Sequence, residues 1–215
     1  MTQFDAAHVE PGRAAHRYPD SGPLAVTKLS VGPYDNNVYV LADPLAGEAL
    51  LVDAASDHER ILEALGALWL VGVVTTHRHP DHSGALGEVL RATGAWSAAH
   101  PADAGELPVR PDRLLEDGAT VTVGAAQVAV VHTPGHTPGS ICLRLPSAHV
   151  LTGDALFPGG VGRTSGPDTF REALDSAERR LLSLPAETRI SPGHGDDTWV
   201  GAELPQVEDW RARGW

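Results

Sequence analysis

The sequence is poor in cysteine and in positive charge, and each shortage excludes a class of protein. Cys142 is the only cysteine, so the chain has no internal disulfide and no cysteine-based zinc cluster. Lysine and arginine number 16 against 28 aspartates and glutamates, which gives a net charge of −12. Because proteins that bind nucleic acid usually present a basic face, this balance argues against a nucleic-acid partner.

Long apolar runs are also missing. No apolar stretch approaches the roughly 20 residues that cross a bilayer, and no apolar segment follows a charged start at the N-terminus. The sequence therefore predicts neither a membrane span nor an export signal, with the cytoplasm as the default location. Its 215 residues, 42% hydrophobic and 20% charged, predict a mobile polar leader over residues 1–22 and a single globular domain over residues 23–215. The oligomeric state stays open.

Short runs rich in β-branched residues, bounded by turn residues, dominate the apolar pattern and are typical of strands. They predict strands over residues 24–31, 38–42, 49–52, 71–75, 96–99, 120–123, 127–132, 141–145, 149–152 and 188–190. Helical spacing of apolar residues predicts helices over residues 57–68, 84–93 and 169–182, and a polar, helical tail over residues 200–215. Residues 101–117 read as a loop or a short helix. Two packed sheets with helices outside would bury such strands.

One stretch concentrates side chains that bind metals. The run VVTTHRHPDHSG over residues 73–84 ends a strand pattern and then supplies His77, His79, Asp81 and His82 within six positions. Three imidazoles and a carboxylate packed this closely make poor core, but they are good ligands for a borderline metal such as zinc. The end of a buried strand is rigid, and the loop after it can fold several side chains toward one point. The stretch therefore predicts a metal site.

Three further stretches each place one ligand-type residue on a turn rich in glycine or proline after an apolar run. They are VVHTPGHTPGS with His136, VLTGDALF with Asp154, and RISPGHGDDT with His194. Taken singly, each is ordinary loop chemistry. Together with the first stretch they supply five histidines and two aspartates at predicted strand ends, which is enough for two metal ions.

In this order the motifs T-H-R-H-P-D-H, G-H-T-P-G-S, T-G-D-A-L-F and P-G-H-G resemble those of the metallo-β-lactamase superfamily. Within it they are most similar to the short, single-domain hydrolases of the glyoxalase II type. The resemblance spans roughly residues 24–198. It implies an α/β fold, an αββα sandwich of two mixed β-sheets with helices on the outer faces, and a site at one edge of the sheets.

The resemblance also implies a role for each ligand-type residue. One ion would be held by a first set, a second ion by another set, and one carboxylate would bridge the two ions. The first set is His77, His79 and His136, the second set is Asp81, His82 and His194, and the bridging carboxylate is Asp154.

Two residues outside the ligand sets also match the pattern. Asp53 matches a supporting aspartate that orients a ligand or a loop amide, with a plain turn aspartate as the alternative. Arg163 falls where these hydrolases place a basic residue for a thiol-carrier substrate, with a plain surface arginine as the alternative.

The implied activity is metal-dependent hydrolysis of a small acyl thioester or ester. Two divalent ions, with zinc favoured and iron or manganese as alternatives, would share a hydroxide that attacks the carbonyl carbon. Asp154 and Asp81 would be catalytic, the first by bridging the ions and the second by holding the proton of the water. Cys142 lies on a predicted strand and is expected to be buried rather than nucleophilic.

Several alternatives stay open at this stage. Glyoxalase II enzymes usually carry a helical C-terminal region that grips glutathione, but fewer than two dozen residues follow His194, so an acyl-glutathione substrate is in question. Persulfide dioxygenases share much of the motif set, including Gly162-Arg163-Thr164, and would use one iron on His77 or His79, His136 and Asp154. A lactonase or esterase and an inactive metal-binding module are further alternatives, and a true β-lactamase is disfavoured without an export signal.

Overall fold

Two β-sheets packed face to face form the centre of the protein, and helices cover both outer faces. We describe residues 7–19 and 22–215 from a computed structural model. The first sheet has seven strands in the order β1-β2-β3-β4-β5-β6-β7, and the second has six strands in the order β13-β12-β11-β10-β9-β8. Both sheets mix parallel and antiparallel pairs, so the predicted αββα sandwich is confirmed.

The strands are short and follow one another along the chain with few long connections. They are β1 His16–Tyr18, β2 Ala25–Val31, β3 Asn36–Asp43, β4 Glu48–Val52, β5 Trp69–Val74, β6 Trp96–Ala99, β7 Arg113–Leu114, β8 Thr120–Val123, β9 Ala126–His132, β10 Ile141–Arg144, β11 His149–Gly153, β12 Arg189–Pro192 and β13 Thr198–Trp199. The helices are α1 His58–Leu65, α2 Leu86–Thr93, α3 Pro101–Ala104, α4 Pro167–Arg180, α5 Val200–Glu203 and α6 Val207–Arg213.

Alternation along the strands distributes the apolar side chains over three layers of core. In β3, Tyr39 and Leu41 point into the space between the sheets, whereas Val38 and Val40 point outward toward α1 and α2. A third apolar layer lies between the second sheet and the helices α4 and α6, and it includes Trp210 at 2% exposure. The sandwich therefore buries both faces of its central strands, which accounts for the nearly continuous apolar runs in the sequence.

Two helices end or begin at residues other than the predicted ones, because a glycine or a proline sets the boundary. The helix predicted over residues 57–68 ends at Leu65, because Gly66 takes a φ of 56° and turns the chain away. Its N-terminus is capped by Asp57, whose side chain accepts a hydrogen bond from the Arg60 amide. The helix predicted over residues 169–182 begins earlier, at Pro167, since proline suits the first helical turn.

The predicted leader over residues 1–22 needs correction where the structure describes it. His16–Tyr18 forms the edge strand β1, which pairs antiparallel with β2 in the register His16↔Lys28. The Tyr18 side chain turns inward and is 7% exposed, so this segment is part of the sandwich. Residues 1–6, 20 and 21 of the predicted leader lie outside the described residues.

The order of the strands brings the C-terminal ends of several strands to one edge of the sandwich. β4 and β5 run parallel, and so do β11 and β12, so the residues that follow each pair emerge side by side. The chain passes from the first sheet to the second once, between Leu114 and Thr120. Within the described part of the chain, no helix has both the length and the apolarity needed to cross a bilayer.

Candidate metal centre

The first group of ligand-type side chains follows β4 and β5 in the first sheet. β5 ends at Val74, and the chain then passes His77 and His79 into a single 3₁₀ turn, Pro80–His82, that carries Asp81 and His82. Pro80 stands at the start of this turn, where its fixed φ suits helical backbone, and the Asp81 and His82 side chains approach each other to 3.8 Å. Asp53 follows β4 directly, and its amide donates to the Val74 carbonyl at 2.9 Å.

The second group follows strands of the second sheet. His136 lies in the turn between β9 and β10, Asp154 follows β11, and His194 follows β12. The pairing of β11 with β12 in the register Gly153↔Pro192 brings the last two close together. Gly193 makes this packing possible, because a Cβ there would lie 2.3 Å from Asp154 Oδ1 and 2.6 Å from His82 Cε1.

Asp154 stands at the centre of the assembled cluster. Its Oδ2 lies 3.5 Å from His136 Nε2, 3.5 Å from His194 Nε2 and 4.0 Å from His77 Nε2. Its Oδ1 lies 3.4 Å from His82 Nε2. One carboxylate therefore touches histidines from both ligand sets, which is the geometry that a bridging ligand requires.

The remaining contacts divide the cluster into two subsites. His79 Nδ1 lies 2.9 Å from His136 Nε2, and these two histidines form one group with His77 whose ligand atoms lie within 4.8 Å of one another. Asp81 Oδ2 lies 3.4 Å from His194 Nε2 and 3.8 Å from His82 Nε2, and these three form a second such group. The structure thus brings all seven ligand-type residues from the sequence analysis into one place.

Hydrogen bonds outside the cluster fix which ring nitrogen of each histidine faces inward. His136 Nδ1 donates to the Arg163 carbonyl at 2.6 Å, and His194 Nδ1 donates to the Tyr34 carbonyl at 2.7 Å. Each Nε2 is thereby left with its lone pair directed at the cluster. Such outer partners set the tautomer and orientation of histidines that bind metals.

Asp53 supports the cluster without entering it. Its Oδ2 accepts hydrogen bonds from His82 Nδ1 at 2.9 Å and from the Thr76 hydroxyl at 2.8 Å, while its Oδ1 accepts from the Thr76 amide at 2.7 Å. Thr76 Oγ1 lies 3.0 Å from His77 Nδ1. Because the Thr76 hydroxyl donates its hydrogen to Asp53, its oxygen accepts a hydrogen bond from His77 Nδ1. Asp53 takes a left-handed backbone φ of 58°, a conformation that aspartate tolerates better than most residues.

The electrostatic environment differs between the two subsites. Burial and the neighbouring His82 hold the pKa of His77 well below its usual value, and burial lowers the pKa of His136 as well. Burial also disfavours the charged form of His82, but the carboxylates of Asp53, Asp154 and Asp81 outweigh it and raise its pKa to about 9. His77 and His136 are therefore neutral and ready to donate a lone pair, whereas His82 exchanges a proton for any cation it binds.

The cluster fits a divalent metal on a direct structural ground. His77 Nε2 and Asp154 Oδ1 are buried and have no hydrogen-bond partner among the described residues. Buried polar atoms without a partner are rare in folded proteins, and two of them converge here among further nitrogen and oxygen donors. Imidazole nitrogens with carboxylate oxygens form a donor set that suits zinc, iron or manganese.

Sequence reasoning missed two residues that hold the cluster together. Asn36 Nδ2 donates to the Asp81 carboxylate and to the Asp81 carbonyl, both at 3.0 Å, so it orients this ligand from β3. Thr76 links Asp53 to His77, as described above. Thr76 directly precedes the histidine motif and could have been suspected from its position, whereas Asn36 looked like an ordinary turn residue.

The two other residues singled out from the sequence contribute no side chain to the cluster. Cys142 is buried, and burial raises the pKa of its thiol to about 12, so it is not a nucleophile at neutral pH. Arg163 borders a pocket of about 710 Å³ that opens beside His79 and His136. Its side chain is exposed, and its backbone carbonyl accepts the hydrogen bond from His136 Nδ1.

Comparison with known proteins agrees with this architecture. The sequence model of the metallo-beta-lactamase superfamily matches residues 31–194, which include the whole cluster. The chain belongs to the metallo-β-lactamase superfamily. The superfamily binds divalent metals, and the His/Asp cluster lies where its motifs meet.

Individual members of the superfamily resemble the chain over most of its length. A hydroxyacylglutathione hydrolase of Fuscovulum blasticum is 40% identical over 163 residues, which cover 74% of this chain and 62% of that enzyme. ETHE1 from Myxococcus xanthus has a TM-score of 0.76 and 31% identity, covering 86% of this chain and 84% of its own. The protein TTHA1623, solved in a di-iron-bound form, has a TM-score of 0.72 and 32% identity, covering 82% of this chain and 96% of its own.

Proposed function

We propose that this protein is a binuclear metallo-hydrolase that cleaves a small acyl thioester, as glyoxalase II-like enzymes do. The observation that carries the proposal is the complete second subsite, in which Asp81 and His194 approach to 3.4 Å beside His82. A site for one ion does not need these three side chains, and Asp154 lies within reach of both subsites. Similarity to a hydroxyacylglutathione hydrolase supports the thioester class.

Zinc is the metal we propose, with iron or manganese as the alternatives. When bound, a pair of such ions acidifies water to a pKa near 7 and stabilises negative charge that develops on a carbonyl oxygen. Similarity to a protein solved in a di-iron-bound form supports a two-ion site and keeps iron open. His77, His79 and His136 would hold one ion, and Asp81, His82 and His194 would hold the other.

The side chains of the cluster have distinct parts in the proposed reaction. Asp154 joins the two subsites and keeps them at a fixed separation. Asn36 holds Asp81 in place through a hydrogen bond. Burial raises the pKa of the Asp81 carboxyl, but Asn36 and His82 favour its charged form and lower the pKa below its usual value. The carboxylate is therefore ionised at neutral pH, and its Oδ2 would hold the proton of the attacking water by accepting a hydrogen bond from it. Asp53 acts by orienting His82 and does not touch substrate.

The substrate enters beside His79 and His136, where the pocket bordered by Arg163 opens. Arg163 would bind an anionic part of the substrate, since a guanidinium recognises carboxylate and phosphate groups well. The pocket has the size of sites that bind small molecules, which span about 300–1,000 Å³.

The second candidate function is the mononuclear iron persulfide dioxygenase that the motifs also resemble. The first subsite with Asp154 would be sufficient for it, because two histidines and one carboxylate with open positions suit iron and oxygen. The second subsite would then have no metal to bind. The two functions therefore differ in metal identity, in the number of ions and in the need for oxygen.

The test begins with elemental analysis of the purified protein, followed by turnover assays. We expect about two zinc ions per chain and hydrolysis of thioesters without consumption of oxygen. About one iron per chain, with oxygen consumed in the presence of a thiol persulfide, would instead establish the dioxygenase.

Two variants assign the activity to the cluster. His79→Ala and Asp154→Ala each remove a ligand that the proposal requires, so both should lose bound metal and turnover. His58→Ala, which changes a histidine in the first turn of α1, is the matched control and should retain both. Full activity in either cluster variant would contradict the assignment.

A further inference from the structure

Asp103 is a buried aspartate that belongs to neither set of ligands. It lies in the short helix α3, between β6 and β7 of the first sheet, and is 1% exposed. Its Oδ2 accepts hydrogen bonds from the Thr137 hydroxyl at 2.6 Å and from the Arg78 amide at 3.0 Å. Its Oδ1 accepts a third hydrogen bond, from the Gly139 amide at 2.9 Å. So many donors on one buried side chain show that its position is tightly specified.

The three donors lie in the two segments that carry the first subsite. Arg78 stands between two of its histidines, in the segment that follows β5 of the first sheet. Thr137 directly follows His136, the third histidine, and Gly139 lies two residues further along the same turn between β9 and β10 of the second sheet. One carboxylate therefore joins the two sheets at the point where the histidines of the first subsite meet.

The packing around Asp103 leaves its side chain no alternative position. A Cβ at residue 139 would lie 2.6 Å from Asp103 Cγ, so only glycine allows the turn to approach the carboxylate this closely. Thr137 gives its single hydroxyl hydrogen to Asp103 and accepts a hydrogen bond from the Ser140 hydroxyl, 2.8 Å away. The Ser140 oxygen in turn accepts from the Thr137 amide at 3.0 Å. The turn that carries His136 is thus held by a connected set of hydrogen bonds that ends on Asp103.

We propose that Asp103 is a positioning residue for the first metal subsite. It fixes the segment that carries His79 against the turn that carries His136, and these two rings approach to 2.9 Å. Asp53 supports the ring of His82 directly, whereas Asp103 acts on the backbone and hydroxyl groups beside the ligands. The proposal rests on the proposed function for its effect on turnover, but its effect on metal binding can be measured without substrate.

The test replaces the carboxylate with an amide of the same size. In Asp103→Asn one of the two oxygens becomes an NH₂ group, which donates hydrogen bonds and does not accept them. Whichever way the amide turns, this group faces at least one of the three donors, so at least one hydrogen bond is lost. We expect the zinc affinity of the first subsite to fall about 10- to 100-fold, the usual effect of losing a partner that orients ligands.

Two single-subsite backgrounds assign the effect to one ion. His194→Ala removes a ligand of the second subsite and leaves the first intact, whereas His136→Ala does the reverse. Zinc affinity is measured in each background by competition with a chromophoric chelator. Adding Asp103→Asn should weaken zinc binding about 10-fold or more in the His194→Ala protein and leave it unchanged in the His136→Ala protein. Equal weakening in both backgrounds, or no weakening in either, would overturn the proposal.

Asp43 provides a matched control at the other end of the sandwich. It is 7% exposed and accepts hydrogen bonds at 2.9 to 3.1 Å from three backbone amides, which lie in the β3–β4 turn and the β8–β9 turn. It therefore also joins the two sheets, but it ends β3, roughly 24 Å from the Asn36 end of that strand. Asp43→Asn should lower the urea midpoint of the metal-free protein as Asp103→Asn does, while zinc affinity stays unchanged in both backgrounds.

A second pair of variants tests the same link if Asp103→Asn does not fold. Thr137→Val removes the hydroxyl that donates to Asp103 and keeps the shape of the side chain, so it should weaken zinc binding in the His194→Ala background alone. Thr137→Ser keeps the hydroxyl and should restore the affinity. Loss of affinity in both Thr137 variants, or in neither, would contradict the proposal.

Thioester assays on the wild-type protein separate this proposal from the proposed reaction. If no thioester is turned over but Asp103→Asn weakens zinc binding only in the His194→Ala background, the reaction class is wrong and the positioning role stands. If thioesters are turned over and Asp103→Asn leaves zinc affinity unchanged in both backgrounds, the positioning role is wrong and the reaction stands.

Discussion

Buried histidines serve two purposes in this protein, and His149 illustrates the one that has no part in the metal cluster. His149 begins β11 and is 4% exposed. Its Nε2 lies 2.7 Å from the Ser191 hydroxyl, and its ring packs edge-on against Tyr18 with ring centroids 4.9 Å apart. Burial lowers the pKa of His149 to about 3, and the nearby charges of Arg189 and Lys28 add to the effect.

This shift makes the stability of the fold depend on pH. Between pH 6.5 and pH 3 the unfolded chain binds a proton at His149 that the folded chain excludes, so the free energy of unfolding falls as the pH falls through this range. A single group contributes at most about 1.4 kcal/mol per pH unit. In the metal-free protein, His149→Gln should therefore reduce the slope of unfolding free energy against pH by up to that amount.

Urea denaturation at a series of pH values from 6.5 to 4 measures this slope. Glutamine keeps a hydrogen-bonding group for Ser191 and does not titrate, so the variant isolates the proton. His58→Gln, the same chemical change in the first turn of α1, controls for the substitution. Identical slopes in the wild-type protein and His149→Gln would show that the ring does not resist protonation.

At the level of single residues, sequence reasoning found the members of the cluster and one of its supports, Asp53, but it missed the support from Asn36. The seven ligand-type residues stand out because histidine and aspartate cluster beside glycine and proline at strand ends. Asn36 gave no such signal, since its sequence context is that of a turn residue. Its role depends on a contact with Asp81, 45 residues later in the chain, and a local pattern cannot contain that information.

Among the elements, the segment after β12 depends on a buried charge from the opposite sheet. Lys28, the chain's single lysine, lies in β2 with its side chain fully buried. Its ammonium donates to the Gly195 carbonyl at 2.7 Å and pairs with Asp197 Oδ1 at 3.0 Å. The other oxygen of Asp197 accepts hydrogen bonds from Tyr18 at 2.8 Å and from Arg189 at 3.1 Å. This network spans the two sheets and holds the loop that carries His194.

Removing the ammonium should disturb both stability and the second metal subsite. Lys28→Met keeps the length of the side chain but leaves the Asp197 carboxylate buried with one cation fewer, a change that typically costs about 3–5 kcal/mol. Because the loop after β12 loses an anchor, we expect bound metal to fall from about two ions per chain toward one. Urea denaturation and elemental analysis measure the two effects.

A surface ion pair provides the control for this prediction. Arg171 pairs with Asp168 at the start of α4, where both side chains are largely exposed. Arg171→Met should change the free energy of unfolding by less than about 1 kcal/mol and leave the metal content unchanged. If Lys28→Met behaved in the same way, the network would have no role in placing His194.

The longer strands and helices could be predicted from the sequence, whereas the shortest strands could not. The longer strands and the helices α1, α2 and α4 were found from their apolar periodicity, with errors of a few residues where Gly66 or Pro167 sets an end. The strands β1, β7 and β13 have two or three residues each and were missed. So short a strand shows no alternation, and it exists because a neighbouring edge offers backbone partners.

For the whole molecule, metal binding and folding are linked, because the proposed ligands meet only in the folded chain. A ligand present at 1,000 times its Kd stabilises the fold by about 4 kcal/mol. Each kcal/mol shifts the Tm of a domain of this size by about 2–4 °C. Treatment with a chelator should therefore lower the Tm by about 10 °C and abolish turnover, and added zinc should restore both.

Differential scanning calorimetry with and without chelator checks this expectation. Asp154→Ala serves as the control, since its Tm should no longer respond to chelator or zinc. An unchanged Tm in the chelated wild-type protein, confirmed metal-free by elemental analysis, would show that the cluster does not bind metal tightly.

The architecture as a whole could be predicted because two kinds of information agreed. Alternating short strands require two packed sheets, and the order of the motifs matches one superfamily. The substrate could not be predicted in the same way, since it depends on the shape and charge of a pocket whose walls come from four separate segments. These segments meet only in the folded protein, at one edge of the sandwich.

The single passage of the chain between the sheets has a consequence for how the centre is shared. The segment before this passage supplies His77, His79, Asp81 and His82, and the segment after it supplies His136, Asp154 and His194. Each proposed ion would take two ligands from the first segment and two from the second. Neither half can complete either coordination sphere by itself. The ions would therefore cross-link the two successive segments. A chain cut between β7 and β8 would keep its reaction centre only while the two fragments stayed associated through the metal.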